Sequence, residues 1–277
     1  FPTRRSSDLY CFVAYMSNLD IKKAIRSGWD AMANAYQLQS RISTNDVHYA
    51  PFAPGERDLG LLGDVAGKSI LELACGSAQN SIALARLGAK VVGLDISSVH
   101  IDRARKLSNL EGVDIELVLG DMEFLPIFAD GSFDVVLSSF GFEFVPDLLS
   151  CIEECHRVLK AGGLLIISTT HPLSAFEWDE KSKSLMVTDY FNLPVEVWQD
   201  YEDESVQPAM TFFHTIEEMF DLLTGTGFSV ERLLEPAPYS TARAIAEKSP
   251  YTGPYWNDNE ERLKRVPFAV VYAARKR

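Results

Sequence analysis

A chain of 277 residues, 47% hydrophobic and 23% charged, is long enough to bury a sizeable core, which excludes a disordered chain and fits one large domain or a domain with an elaborated lid. A net charge of −13 argues against holding nucleic acid or an anionic membrane by phosphate neutralisation and leaves small molecules or proteins as partners. No apolar run approaches the ~18 residues of a membrane span. Cys11, Cys75, Cys151 and Cys155 form no C-x-x-C pair and read as buried small residues of a reducing, cytoplasmic protein rather than as disulfides or metal ligands.

In chain order, "FPTRRSSDL" (1–9) resembles the conceptual translation of a sequencing-adapter oligonucleotide, so residues 1–15 are set aside as a non-native leader and Met16 is the expected start. A signal peptide with "LYCFVAYM" as its core is the rival reading, weakened by the lack of a small-residue cleavage site after it. Residues 16–67 are expected to form an N-terminal helical lid. Ile21, Ile25, Trp29, Met32 and Tyr36 recur at three- and four-residue steps within 19–40 and predict an amphipathic helix, followed by the loop "TNDVHYAPFAPGERD". Strands are predicted at 68–74, 90–96, 113–120, 133–139 and 164–170, with helices between most of them. The first helix runs from Ala78 to a stop at Gly88. The second carries Ile101, Ala104, Leu107 and Leu110, and the third stacks Leu148, Ile152, Cys155 and Leu159 until "KAGG" ends it. Nearly continuous apolar strands alternating with helices imply a parallel sheet covered on both faces, hence a doubly wound α/β fold.

In such a sheet the ligand binds at the carboxyl ends of the strands, which directs attention to the turn after the first strand, "LELACGSAQN". Ala74, Gly76 and Ala78 alternate small residues there and let a ligand lie against backbone. Asp95 closes the second strand 19 residues beyond Gly76, and a carboxylate there suits the two hydroxyls of a ribose. An adenosine ligand follows. A dinucleotide fits poorly, because "ACGSAQN" lacks the G-x-G-x-x-G pattern. As a rival role, Asp95 could cap the next helix with Ser97 and Ser98.

Taken together, "LELACGSAQN", "GLDIS", "LGDMEFLPIFADGSFDVVLSS" and "RVLKAGGLLIIST" resemble the successive motifs of the class I S-adenosylmethionine-dependent methyltransferases, particularly the small-molecule branch that includes the quinone C-methyltransferases. The resemblance implies a Rossmann-like, mostly parallel seven-stranded sheet with an antiparallel last strand, "FSVERLLE" and "PFAVVYAA" supplying the final pair. It also implies S-adenosyl-L-methionine as cofactor and a small-molecule methyl acceptor. By the same resemblance the turn around Gly76 lies under the methionine portion, Asp95 with Ile96 holds the ribose, Asp121 accepts from the adenine amino group and Met122 borders the adenine. Ser138 and Phe140 would stand near the sulfonium. The family's turn commonly carries glycine where this chain has Ala74 and Ala78; alanine there is harmless at negative φ and strained by roughly 1 kcal/mol or more at positive φ. Because the motifs encode binding rather than turnover, a catalytically silent cofactor-binding sensor or scaffold is an alternative, and an NAD(P)-dependent reductase is a third reading.

Glu72 is expected either to organise the turn amides and the cofactor's ammonium or to be a strand-end charge. Cys75 reads as packing, without a base partner. Methyl transfer from a sulfonium is an in-line displacement that needs alignment, and a base only where the acceptor keeps a proton. His171, after the fifth strand, is the candidate base, its alternative being a loop histidine before Pro172. His48, Tyr49 and His214 are weaker candidates, and His100 and His156 read as surface or packing residues within helices. Substrate choice is expected in insertions at about 171–214 and 236–265. The aromatics Phe176, Trp178, Tyr190, Phe191, Trp198, Tyr201, Phe212 and Phe213 of the first either wall an apolar pocket or form the lid's own core. "QDYEDES" (199–205) reads as a solvated acidic loop, with attraction of a cationic acceptor as its functional alternative.

Overall fold

The computed structural model describes residues 16–198, 209–240, 243 and 249–277; the leader at 1–15, Tyr201 and the acidic run at 199–205 lie outside the described residues. Seven strands form the main sheet: β1 Ser69–Leu73, β2 Lys90–Asp95, β3 Glu116–Leu119, β4 Phe133–Ser139, β5 Leu159–Thr170, β6 Phe228–Leu234 and β7 Ala269–Lys276. Their spatial order is β6-β7-β5-β4-β1-β2-β3. Neighbours from β5 to β3 run parallel, and β7 is antiparallel to both β5 and β6. This is the seven-stranded Rossmann-like arrangement expected from the sequence.

Successive apolar residues in these strands point to opposite faces, so each strand supplies two cores. Leu71, Val136, Leu165, Val270 and Tyr272 pack on one face under Leu148, Ile152, Cys155, Met219 and Leu223. Ile70, Val135, Ile166 and Val271 pack on the other with Ala83, Leu84, Val47 and Tyr49. The helices are α1 Asn18–Gln39, α2 Gln79–Arg86, α3 Ser98–Glu111, α4 Leu148–Val158 and α5 Ile216–Gly225. Their starts follow local chemistry: Ser97 caps α3, Asp147 caps α4, and Thr215 with Glu218 forms a capping box on α5.

Two local expectations are corrected. The segment "KAGG" does not end α4; the helix stops at Val158, and residues 159–163 already belong to β5. A side chain at Gly163 would press within 2.9 Å of the Lys160 carbonyl, and a register shift against β4 falls at Phe133/Val135, so the glycine pair serves an irregular strand start. On α3 the buried line is Ile101, Ala104 and Ser108, whereas Leu110 is 82% exposed, because it falls two positions past Ser108 and rotates off that face.

The N-terminal helix α1 roofs the carboxyl edge of the sheet. Ile21 and Ile25 bury against Val197 and Met210 of an antiparallel hairpin, Val195–Trp198 with Ala209–Phe212. Asp30 Oδ1 accepts from Ser97 Oγ at 2.6 Å, and Asn34 Oδ1 accepts from Arg103 at 2.6 Å, which tie the roof to the start of α3. Arg41–Ile42, just after α1, pairs with Tyr251–Thr252 of the second insertion.

Candidate cofactor and acceptor site

A cavity of about 320 Å³ opens above the carboxyl ends of β1 to β5, within the size range of small-molecule sites. Its floor begins at the turn after β1. Ala74, Gly76 and Ala78 all take left-handed backbone, with φ of +53°, +55° and +62°. Each alanine therefore carries the strain anticipated for a positive φ, roughly 1–2 kcal/mol apiece, held by the buried structure around it. Gly76 carries no such penalty, and the nearest atom that a side chain there would meet, across the cavity, is His100 Nδ1 at 3.8 Å.

The carboxylate of Asp95 holds this turn from below. Its Oδ2 accepts from the Gly76 N–H at 2.8 Å and its Oδ1 from the Ser97 N–H at 2.8 Å. Asp95 is thus both a turn clamp and part of the α3 cap, and as a carboxylate it retains lone pairs toward the cavity. Burial raises its carboxyl, opposed by His100 and those N–H groups. Glu72 is buried and accepts from the backbone N–H and the hydroxyl of Ser81 in α2; burial pushes it up to about 7. Toward β3, Asp121 Oδ1 accepts from the Glu123 N–H at 2.9 Å, while Lys22 of α1 bridges Asp121 at 2.7 Å and Glu123 at 2.5 Å.

Of the predicted cofactor positions, Glu72, Ala74, Gly76, Asp95, Ile96, Asp121, Met122 and Phe140 line the cavity. Ala78 and Ser138 do not. Ala78 is fully buried at the start of α2, and Ser138 lies behind Gly141, where a side chain would meet Ala74 Cβ at 2.5 Å and Ser138 Oγ at 2.7 Å. Ser139 lines the cavity instead, its Oγ donating to the His48 carbonyl at 2.9 Å.

His171 is turned away from the cavity. Its Nδ1 accepts from the Leu173 N–H at 3.1 Å, which leaves the ring proton on Nε2 to donate to Glu235 Oε1 at 2.8 Å. Burial lowers its pKa against the pull of Glu235. Both nitrogens are committed, so the expected base is a cap for the 3-10 turn Pro172–Ala175. His171→Ala is expected to leave turnover within a few-fold of wild type while costing about 1 kcal/mol of stability, read by denaturant unfolding beside a single-turnover assay. A loss of rate beyond 10²-fold would return His171 to the mechanism.

Tyr49 and His214 do not line the cavity either; the Tyr49 hydroxyl donates to Glu56 at 2.7 Å. His48 does line it, with Nδ1 buried and unpartnered among the described residues and its pKa pushed down to about 4 by burial. Sequence reasoning missed His100. It is buried over Gly76 rather than at the surface, because α3 starts immediately beyond β2 and its first turn still stands at the strand ends. Nor do the described aromatic side chains of 171–214 wall the cavity: Phe176, Phe213 and Tyr190 form a separate cluster, Phe212 packs with the hairpin, and Phe191 is exposed. The aromatic wall comes from Trp29 and Tyr36 of α1, Phe140 and Phe144 after β4, and Tyr251, Tyr255, Trp256 and Phe268 near the chain end.

A thin, left-handed turn clamped by a strand-end carboxylate, with Ser77 Oγ and His100 Nδ1 buried and unpartnered among the described residues on two residues that line the same cavity, fits an adenosyl cofactor bearing polar groups along its length. Residues 71–167 match the methyltransferase domain family. A demethylmenaquinone methyltransferase of Clavibacter sepedonicus is 33% identical over 190 residues, covering 62% of this chain and 76% of its own. An uncharacterized protein of Haemophilus influenzae is 25% identical over 253 residues, or 88% of this chain and 94% of that one. An S-adenosylmethionine-dependent methyltransferase from Mesorhizobium loti superposes with a TM-score of 0.62 at 24% identity, over 79% of this chain and 95% of that structure. Fold and site together define a Rossmann-like methyl-transfer protein. The chain belongs to the class I S-adenosylmethionine-dependent methyltransferases, with S-adenosylmethionine as its cofactor.

Proposed function

We propose that this methyltransferase acts on a planar, hydroxylated aromatic acceptor of the reduced-quinone type. The carrying observation is the division of the cavity. Glu72, Asp95, His100 and Asp121 line it near the ends of β1 to β3, while Phe140, Phe144, Tyr251, Trp256 and Phe268 wall it on the side of β4 and β5, with Trp29 set between His100 and Phe144. The Clavibacter relative, named for demethylmenaquinone, supports a ring acceptor of that kind.

Asp95 and Ile96 are assigned to the ribose, Asp121 and Met122 to the adenine, and Glu72, Ala74 and Gly76 to the methionine portion. Asp121 keeps acceptor capacity beyond Lys22 and the Glu123 N–H, since a carboxylate offers about four lone-pair sites. S-adenosylmethionine supplies an electrophilic methyl group, which demands an electron-rich acceptor. A hydroxylated, reduced ring meets that demand and an oxidised quinone does not. The protein aligns the reactants and excludes water. The buried free thiols Cys75, Cys151 and Cys155 suit a reducing, cytoplasmic setting, and the net charge of −13 disfavours nucleic acid as acceptor.

The test is label transfer from methyl-labelled S-adenosylmethionine to 1,4-naphthoquinol, with 1,4-naphthoquinone as control. Label is expected in the reduced compound and not in the oxidised one. An unlabelled quinol from enzyme that binds S-adenosylhomocysteine would sink the acceptor class.

A further inference from the structure

Among the ionisable side chains that line the aromatic side of the cavity, Glu143 is held by the end of β5 and has no part in the cofactor assignment. Glu143 stands on the 3-10 turn Phe142–Phe144 directly after β4; it is only 3% exposed, yet it lines the cavity. Hydroxyls at the end of β5 fix both of its oxygens. Thr169 Oγ1 donates to Oε2 at 3.1 Å and Thr170 Oγ1 to Oε1 at 2.9 Å. A buried carboxylate whose partners among the described residues are neutral donors is costly in its charged form and relieved by taking a proton. Beside it, Thr211 of the hairpin packed on the same turn lines the cavity with Oγ1 buried and unpartnered among the described residues. A cavity wall that offers one fixed carboxylate and one open hydroxyl between aromatic rings suits a ring carrying oxygen substituents.

We propose that Glu143 is the proton acceptor for a ring hydroxyl of the methyl acceptor, with Thr169 and Thr170 as positioning residues; this rests on the hydroxylated-ring reading above. The O–H bond of the acceptor breaks and its proton bonds to a Glu143 carboxylate oxygen. The electron pair stays on the ring, which forms the new bond to the methyl carbon as the pair of the sulfur–methyl bond returns to sulfur. The charges balance: carboxylate and sulfonium enter, carboxylic acid and thioether leave.

Ionisation fits the role. Burial raises the Glu143 carboxyl to about 7, opposed by its own backbone N–H and the two threonine hydroxyls, so it can gain and release a proton near neutrality. From α1 the facing titratable group is Tyr36, whose phenol is raised by burial and by Glu143 itself, and which shares a 2.9 Å hydrogen bond with the Tyr251 hydroxyl. From β5 only the threonine hydroxyls face it. On the hairpin, Glu196 lines the same cavity on the strand next to Thr211.

The experiment reads binding and turnover separately. In the S-adenosylhomocysteine complex, 2-naphthol is titrated against its methyl ether between about pH 5.5 and about pH 8.5, a span that brackets the Glu143 ionisation. Wild type is expected to bind 2-naphthol about 3- to 10-fold more tightly once the carboxylate forms, since charge-assisted hydrogen bonds are about twice as strong as neutral ones. The ether should show no such step, and Glu143→Gln should lose it. With 1,4-naphthoquinol and saturating cofactor, Glu143→Gln is expected to lower the single-turnover rate 10²- to 10⁴-fold with unchanged cofactor affinity. A wild-type naphthol affinity that ignores pH overturns the proposal whether or not the variant folds, and so does a variant that keeps its rate. A naphthol step that is lost in the variant, with no methylation of 1,4-naphthoquinol by wild type, upholds the role of Glu143 and removes the quinol acceptor.

Discussion

Replacing Asp95 by alanine is expected to weaken S-adenosylhomocysteine binding by roughly 1.5–3 kcal/mol, the range for hydrogen bonds to a charged group, or about 10- to 150-fold in Kd. Two losses combine. The assigned acceptor for the ribose hydroxyls disappears, and the Gly76 N–H, held at 2.8 Å by Oδ2, loses the partner that fixes the left-handed turn. Gly76→Val should be worse, beyond 10²-fold, because a branched side chain at φ +55° is strained and its methyls project toward His100 into the ligand's space. Calorimetric titration of both variants, with melting temperatures alongside to confirm folding, checks the pair. Wild-type affinity in Asp95→Ala would remove that residue from the cofactor site.

Stability should depend on pH through two buried acids, and the dependence should vanish when each is made neutral. Burial raises both Glu72 and Glu143 from 4.5 to about 7. Below the unfolded value both states carry the proton and no difference arises. Between 4.5 and about 7 the unfolded chain releases the proton while the folded chain keeps it, so folded-state stability falls as pH rises; above about 7 the full cost is present. Each acid therefore costs on the order of 3 kcal/mol at alkaline pH, from about 1.4 kcal/mol per pKa unit. His48 runs the other way: burial lowers it from 6.5 to about 4, so its contribution is present above 6.5 and is lost as pH falls toward 4. The whole-protein profile mixes these effects, and the variant difference separates them. Urea unfolding of Glu72→Gln and Glu143→Gln against wild type should show each variant gaining stability relative to wild type between about pH 5 and about pH 8. A difference that stays flat with pH would show that these carboxyls titrate normally in the folded chain.

The sequence by itself determined the sheet and pointed to the strand ends around which the cavity opens. Alternating apolar strands and helices admit few arrangements, and right-handed crossovers place the ends of β1, β2 and β3 on one edge, so Gly76 and Asp95 were legible from local pattern and spacing, while Asp121 came only through the resemblance of its motif to a known family. The positive φ at Ala74 and Ala78 was legible only as a condition, since nothing in an alanine announces the backbone it adopts. The side of the cavity proposed for the acceptor was decided by tertiary structure. His171 follows β5 as a base would, but its direction depends on Glu235, 64 residues away, and on the Leu173 N–H. The aromatic wall draws on α1, the turn after β4 and the segment around Tyr251 to Phe268, whereas Phe176, Tyr190 and Phe213 of 171–214 cluster with one another. Glu143 looks in sequence like an ordinary loop acid between two phenylalanines; only the parallel pairing of β4 with β5 brings Thr169 and Thr170 to its two oxygens. Short-range periodicity fixes which face of an element is buried, but which buried groups share a cavity depends on contacts between residues far apart in the chain, and those exist only once the sheet has closed its neighbours together.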